Sequence, residues 1–227
     1  MSNFKMKSMK IILALALAVC FFTPPLFAST DNKYYSEYAI KYKVNDEFDL
    51  FFTPELRLND DIGNLYYYQI RGGVTFHAHK NLDLSGAYRF IQTKDAKGNW
   101  DNNDTQYVEM IVIPKVKLAG FDLSDANKFE RRFIENARDR WVYRNLATVA
   151  YPAKIKNFEF IPYISDEIYY DWEINKVNLN WATAGINKKI TKNLTVGIYY
   201  RHENSRVGSS SKWLTNHIVG SNVTIGF

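Results

Sequence analysis

His202, Glu203 and Ser205 lie within four positions of one another, a base, an acid and a nucleophile of the kind that acyl hydrolysis uses. The chemistry requires the nucleophile and base to meet within hydrogen-bond reach. Three polar residues at a strand–loop junction are common, and His202 falls on the apolar-side parity of its strand. A rim hydrolase is therefore the minor expectation. His77 and His79 share a face at i, i+2, as a metal pair would. They sit at a turn with no third clear ligand, which favours solvated turn residues over a metal site. The chain carries no phosphate loop, no metalloprotease helix motif and no zinc spacing, so no cofactor or metal is expected.

The larger body of reactive side chains is a set of charges placed on alternating runs. Those opposite the apolar faces are Glu55, Arg57, Gln69, Arg71, Arg89, Glu109, Lys115, Lys117, Glu130, Arg132, Arg140, Arg144, Glu159, Tyr163, Glu167, Tyr199, Arg201 and Glu203. An Arg or Lys facing lipid at mid-membrane costs roughly 2–4 kcal/mol, so these residues are expected to line a lumen. Acids and bases there either pair across a narrow interior or, with arginines in excess, line an anion-favouring pore. Tyr66, Tyr68, Tyr88, Trp141, Tyr143, Tyr151, Trp181, Tyr200 and Phe227 are expected near strand ends as interfacial girdles. A sugar-stacking platform would require some aromatics to converge in space.

The elements that position these residues are strands. Runs at 34–44, 48–58, 65–78, 82–93, 105–118, 121–134, 138–151, 158–170, 177–189, 194–203 and 213–227 alternate between apolar and polar residues. A period of two places successive side chains on opposite faces. Short turns at 45–47, 79–81, 119–120 and 192–193 alternate with longer polar loops at 59–64, 94–104, 171–176 and 204–212. Phe129, Phe133, Ala137 and Trp141 also recur at i+4, so a helix competes with strands over 121–151. The expected fold is all-β: an antiparallel up-and-down transmembrane barrel. Eleven runs are countable, but single-chain bacterial barrels have even strand numbers, so ten to twelve strands are expected, with twelve favoured.

Targeting features agree. Lys5, Lys7 and Lys10, the apolar run Ile11–Phe22, Pro24-Pro25 and Leu26-Phe27-Ala28 read as a secretory signal peptide over 1–28, leaving one domain at 29–227. Cys20 is the only cysteine, and the mature part has none, which suits an oxidising compartment. The whole-chain charge of +5 falls to +2 without those three lysines, so the pI near 9.0 does not indicate nucleic-acid binding. Val219, Val223, Ile225 and Phe227 form one face of the last strand. A terminal aromatic after such alternation resembles the signal read by the barrel-assembly machinery. Outer-membrane lipid and the general secretion and barrel-assembly machineries are therefore the expected partners, and a monomer or weak oligomer is the expected state.

In order along the chain stand Glu55-Leu56-Arg57-Leu58-Asn59-Asp60, Tyr88-Arg89-Phe90 and Phe129-Glu130-Arg131-Arg132-Phe133. Arg138-Asp139-Arg140-Trp141-Val142-Tyr143-Arg144, Tyr163-Ile164-Ser165-Asp166-Glu167 and the terminal Phe227 follow. This series resembles the DUF2490 family of bacterial outer-membrane proteins. The resemblance implies an outer-membrane barrel and brings no activity, substrate or catalytic residue. The leading expectation is a Gram-negative, porin-like small pore or a structural barrel. A lipid- or acyl-modifying enzyme and a soluble periplasmic ligand-binding barrel are the alternatives.

Overall fold

The computed structural model of the chain describes residues 32–95, 97–100, 105–134, 138–156, 158–206 and 211–227. The expected signal peptide lies outside them. The described residues form twelve strands: β1 (Asn32–Lys43), β2 (Phe48–Asn59), β3 (Asn64–His79), β4 (Leu82–Thr93), β5 (Thr105–Leu118) and β6 (Phe121–Ile134). After these come β7 (Arg140–Ala150), β8 (Ala153–Ile155), β9 (Phe158–Asp171), β10 (Lys176–Lys189), β11 (Leu194–Arg206) and β12 (Trp213–Gly226).

Eleven of the twelve close into a barrel, and β8 pairs only with the start of β9. The eleven expected runs correspond to the eleven wall strands. The parity problem is resolved by the closing pair. Eleven strands are joined by ten antiparallel steps, an even number that brings the last strand back in the same direction as the first, and β1 runs parallel to β12 from Asn32↔His217 to Lys41↔Gly226. Every other neighbouring pair in the wall is antiparallel. The seam is tied at its end by Phe227 N–H donating to Lys41 O at 2.9 Å and Lys43 N–H donating to Phe227 O at 3.0 Å.

The contested 121–151 segment is a hairpin of β6 and β7, paired from Asp122↔Ala150 to Arg132↔Arg140. Phe129, Phe133 and Trp141 are all odd-numbered, so the spacing that suits a helix face also suits one face of a strand. The short turns are chemically specified. Ala119 and Gly120 both have positive φ, 53° and 87°, the pair of values that a two-residue hairpin of matching twist demands. This turn end also holds the 44–47, 80–81 and 190–193 connections and Phe227, while the longer loops and Asn32 lie at the opposite end.

Alternation divides the wall into two faces. Outward residues of β1–β5 are large and apolar, among them Ile40, Phe52, Ile70, Val108 and Met110. Inward residues are mostly polar or charged, and many are buried, including Glu55, Gln69, Arg89, Glu109, Glu130, Arg144 and Glu167.

Candidate functional site: a charged interior with a basic mouth

Inward positions on neighbouring strands often carry like charges directly opposite each other. Arg71 faces Arg89, Glu109 faces Glu130, and Lys128 faces Arg144. Such pairs destabilise a sheet unless diagonal partners intervene. Here they do. Arg71 Nε donates to Glu109 at 2.9 Å, and Arg89 Nη2 reaches both Glu109 and, at 2.8 Å, Glu130. Arg144 then bridges Glu130 at 2.5 Å and Glu167 at 2.7 Å, and Lys128 donates to Glu167 at 2.7 Å. One ladder of ion pairs thus runs across β3, β4, β5, β6, β7 and β9.

Glu130 is the hub. It has no exposed surface, and guanidiniums from Arg89, Arg132 and Arg144 converge on its two oxygens. A buried carboxylate is tolerable only when its lone pairs are met in this way. The ladder has three carboxylates (Glu109, Glu130, Glu167) for five cations (Arg71, Arg89, Arg132, Arg144, Lys128). Arg89 Nε is correspondingly buried with no acceptor among the described residues.

The other half of the interior is aromatic. Arg57 lies 4.0 Å from the Tyr67 ring centre and 4.5 Å from that of Tyr35, and Arg201 lies 4.2 Å from that of Trp181. Trp181 is held in place by its Nε1–H donating to Glu203 at 2.7 Å. Tyr163 and Tyr199 lie flat beside glycines. A Cβ on Gly220 would fall 2.2 Å from the Tyr199 ring, and one on Gly185 2.6 Å from Tyr163. Small residues at those positions admit the rings, which an alternating pattern alone does not reveal.

Described residues of the interior border two cavities. One of about 560 Å³ opens towards the long loops, with Arg57, Arg89, Arg132, Arg140 and Arg206 against a single acid among the described lining residues, Asp171. A deeper one of about 270 Å³ is bordered by Glu37, Glu55, Arg71, Lys128 and Arg201. Arg57, Arg89, Tyr169 and Trp181 border both cavities, forming the floor of the first and the roof of the second.

The expected lumen residues Glu55, Arg57, Arg71, Arg89, Glu109, Glu130, Arg132, Arg144, Glu167 and Arg201 are brought together by this interior, and Tyr163 lines its deeper part. Arg140 stands at the mouth, reaching Glu173 at 3.1 Å. Two others lie elsewhere. Glu159 pairs with Lys154 on the β8–β9 hairpin, outside the wall, and Lys117 pairs with Asp122 beside the 119–120 turn. Trp181 is interior rather than in a girdle, because β10 carries Leu179, Trp181 and Thr183 on its inward parity and Asn180 outward. Lys128, Glu37, Tyr67, Tyr107 and Tyr169 were not singled out from the sequence. Inward parity with Glu130 and Arg132 marks Lys128, and parity with Glu167 marks Tyr169.

The hydrolase constellation is not assembled. Glu203 is turned inward to Trp181 and Asn216, while His202 lies on the outward side against Asn204 and the His217 ring. His77 sits between Asp49 and Asp83 at 3.1 and 2.9 Å, and His79 accepts from Asn81 N–H at 3.2 Å. Among the described residues, no three His, Cys, Asp or Glu side chains are grouped to hold a metal.

No curated protein matches the chain. Among solved structures it is similar to a bacterial polysaccharide outer membrane secretin, with a TM-score of 0.53 at 10% identity, over 82% of this chain and 67% of that one. At that identity the likeness concerns the fold. A family model described as a protein of unknown function, DUF2490, matches residues 32–213, and the chain belongs to that family.

Proposed function

We propose that the protein is an outer-membrane β-barrel whose interior is blocked at mid-height by its own ion pairs, a structural or ligand-holding barrel rather than an open diffusion pore. The observation that carries this reading is Glu130, fully buried and bound by three arginines from three strands. Removing one partner of such a group costs about 3–5 kcal/mol, so a continuous channel would require several such contacts to break together. The membrane part of the reading is supported by the apolar outward faces of β1–β5 and by closure, which leaves no sheet edge in the wall. The similar solved structure is itself named as an outer-membrane protein.

A second reading, a soluble periplasmic ligand-binding barrel, is favoured by one observation. The outward side of β6–β10 carries Asp125, Asn127, Asn145, Asp166 and Asn180.

Fractionation, gels of unheated and boiled samples and planar-bilayer recording separate the readings. The expected result is an outer-membrane protein with heat-modifiable migration and no stepwise conductance. Steady ion-selective conductance would overturn the blocked interior. A periplasmic protein without a heat shift would overturn the membrane barrel in favour of the second reading.

A further inference from the structure

The mouth cavity combines three features that the blocked interior does not need. Its volume, about 560 Å³, is that of a small-molecule site. Its lining is basic: among the described lining residues five arginines face one acid, Asp171, which is engaged by Glu173 N–H at 2.9 Å, Asn178 Nδ2 at 3.4 Å and Arg140 at 3.9 Å, and Arg140 also reaches Glu173 at 3.1 Å. Two of its arginines, Arg57 and Arg132, also retain donors with no acceptor among the described residues. Among the described residues Arg57 donates through Nε alone, to Glu55 at 2.5 Å, leaving both terminal nitrogens without an acceptor. Arg132 spends Nε and Nη2 on Glu130 and leaves Nη1. Each guanidinium is stacked on a tyrosine, Arg57 at 4.0 Å from Tyr67 and Arg132 at 4.7 Å from Tyr107, so the forks are held before any ligand arrives.

We infer that this cavity binds a small ring-bearing carboxylate, the chemistry of an acidic sugar, with the oxyanion on Arg57 and Arg132 and the ring against Trp181 and Tyr169. Planar forks suit carboxylate oxygens, and the edge-on pair Tyr169–Trp181, 5.1 Å between ring centres, supplies the apolar wall. The site goes beyond the outer-membrane reading and holds for a soluble barrel as well.

The test is calorimetric titration of the full chain, folded in detergent, with galacturonate, galactose and inorganic phosphate. Saturable galacturonate binding, tighter than either of the others, is expected. Arg57→Gln and Arg132→Gln should each weaken it about tenfold, the loss of one charged hydrogen bond. Arg132→Gln leaves Glu130 with Arg89 and Arg144, so it decides the matter if Arg57→Gln does not fold. Three results would overturn the inference: galactose binding as tightly as galacturonate, phosphate doing so, or unchanged affinity in folded Arg132→Gln.

Discussion

The outward faces of β1–β5 and of β6–β10 follow different rules within one wall. On β1–β5 they carry Ile40, Leu50, Phe52, Ile70, Val74, Val108 and Met110, all substantially exposed. On β6–β10 the middle of the face is polar or small. Asn145 Nδ2 donates to Asp125 at 2.6 Å, Asn180 Nδ2 to Asp166 at 2.8 Å, and Tyr143 OH to Asn127 at 2.5 Å, with Ala147 and Ala182 between them. These polar groups satisfy one another along the sheet rather than from below. A wall tolerates outward polar side chains when each donor meets an acceptor on the next strand. The outward face of β6 thus mixes Asp125 and Asn127 with Phe129 and Phe133, and the i+4 spacing of Phe129, Phe133, Ala137 and Trp141 is what invited a helix there.

The largest effect contrasts the two sides of β6. Glu130→Leu takes the carboxylate from Arg132 and one of two from Arg89 and Arg144, and should cost about 3–5 kcal/mol in urea unfolding of the folded barrel, against about 1 kcal/mol for Asp125→Leu on the outer side. Equal costs would show that the hub is not an energetic centre.

Next comes an arginine placed on each region. Met110→Arg on β5 should lose roughly 2–4 kcal/mol in lipid vesicles. Ala147→Arg should lose clearly less, because Ala147 pairs with Asp125 on one side and Asp166 on the other. Similar losses would erase the distinction between the faces.

A smaller effect separates pairing from polarity. Asp166→Leu removes the shorter of two acceptors of Asn180 Nδ2, leaving the Glu167 carbonyl at 3.4 Å, and should cost about 1 kcal/mol, whereas Asp166→Leu with Asn180→Leu should return close to wild type. A double variant no better than the single one would mean that the polar face is covered by something other than lipid.

The smallest lies outside both regions. Asp95 accepts from the N–H groups of Asn99 and Lys97, which hold its carboxyl below the usual range. Its contribution to loop order is present above the ordinary carboxylate pKa and is lost as pH falls through the lowered value. Asp95→Asn should therefore speed amide exchange over 97–100 at neutral pH and leave exchange in both strand groups unchanged.

Legibility follows the same division. In β1–β5 period-two alternation was enough, since outward residues are apolar and Arg57, Arg71, Arg89 and Glu109 fall on the other parity. In β10 the apolar-out rule inverts, and Trp181 was read as a girdle residue although it stacks with Arg201 inside. Strand β8 was not read at all, because three residues after Pro152 carry too little pattern. The eleven runs were countable, but the parallel β1–β12 seam that reconciles an odd number with closure was not.

Strand positions, the terminal aromatic and the sidedness of most charges belong to the sequence by itself, because side-chain alternation is local and repeats every two residues. The tertiary structure decided which strands meet at the seam, that Arg89, Arg132 and Arg144 converge on one carboxylate, and that Trp181 lies where the two cavities join. Those outcomes depend on register and shear around the closed wall, long-range quantities to which a single strand's pattern is blind.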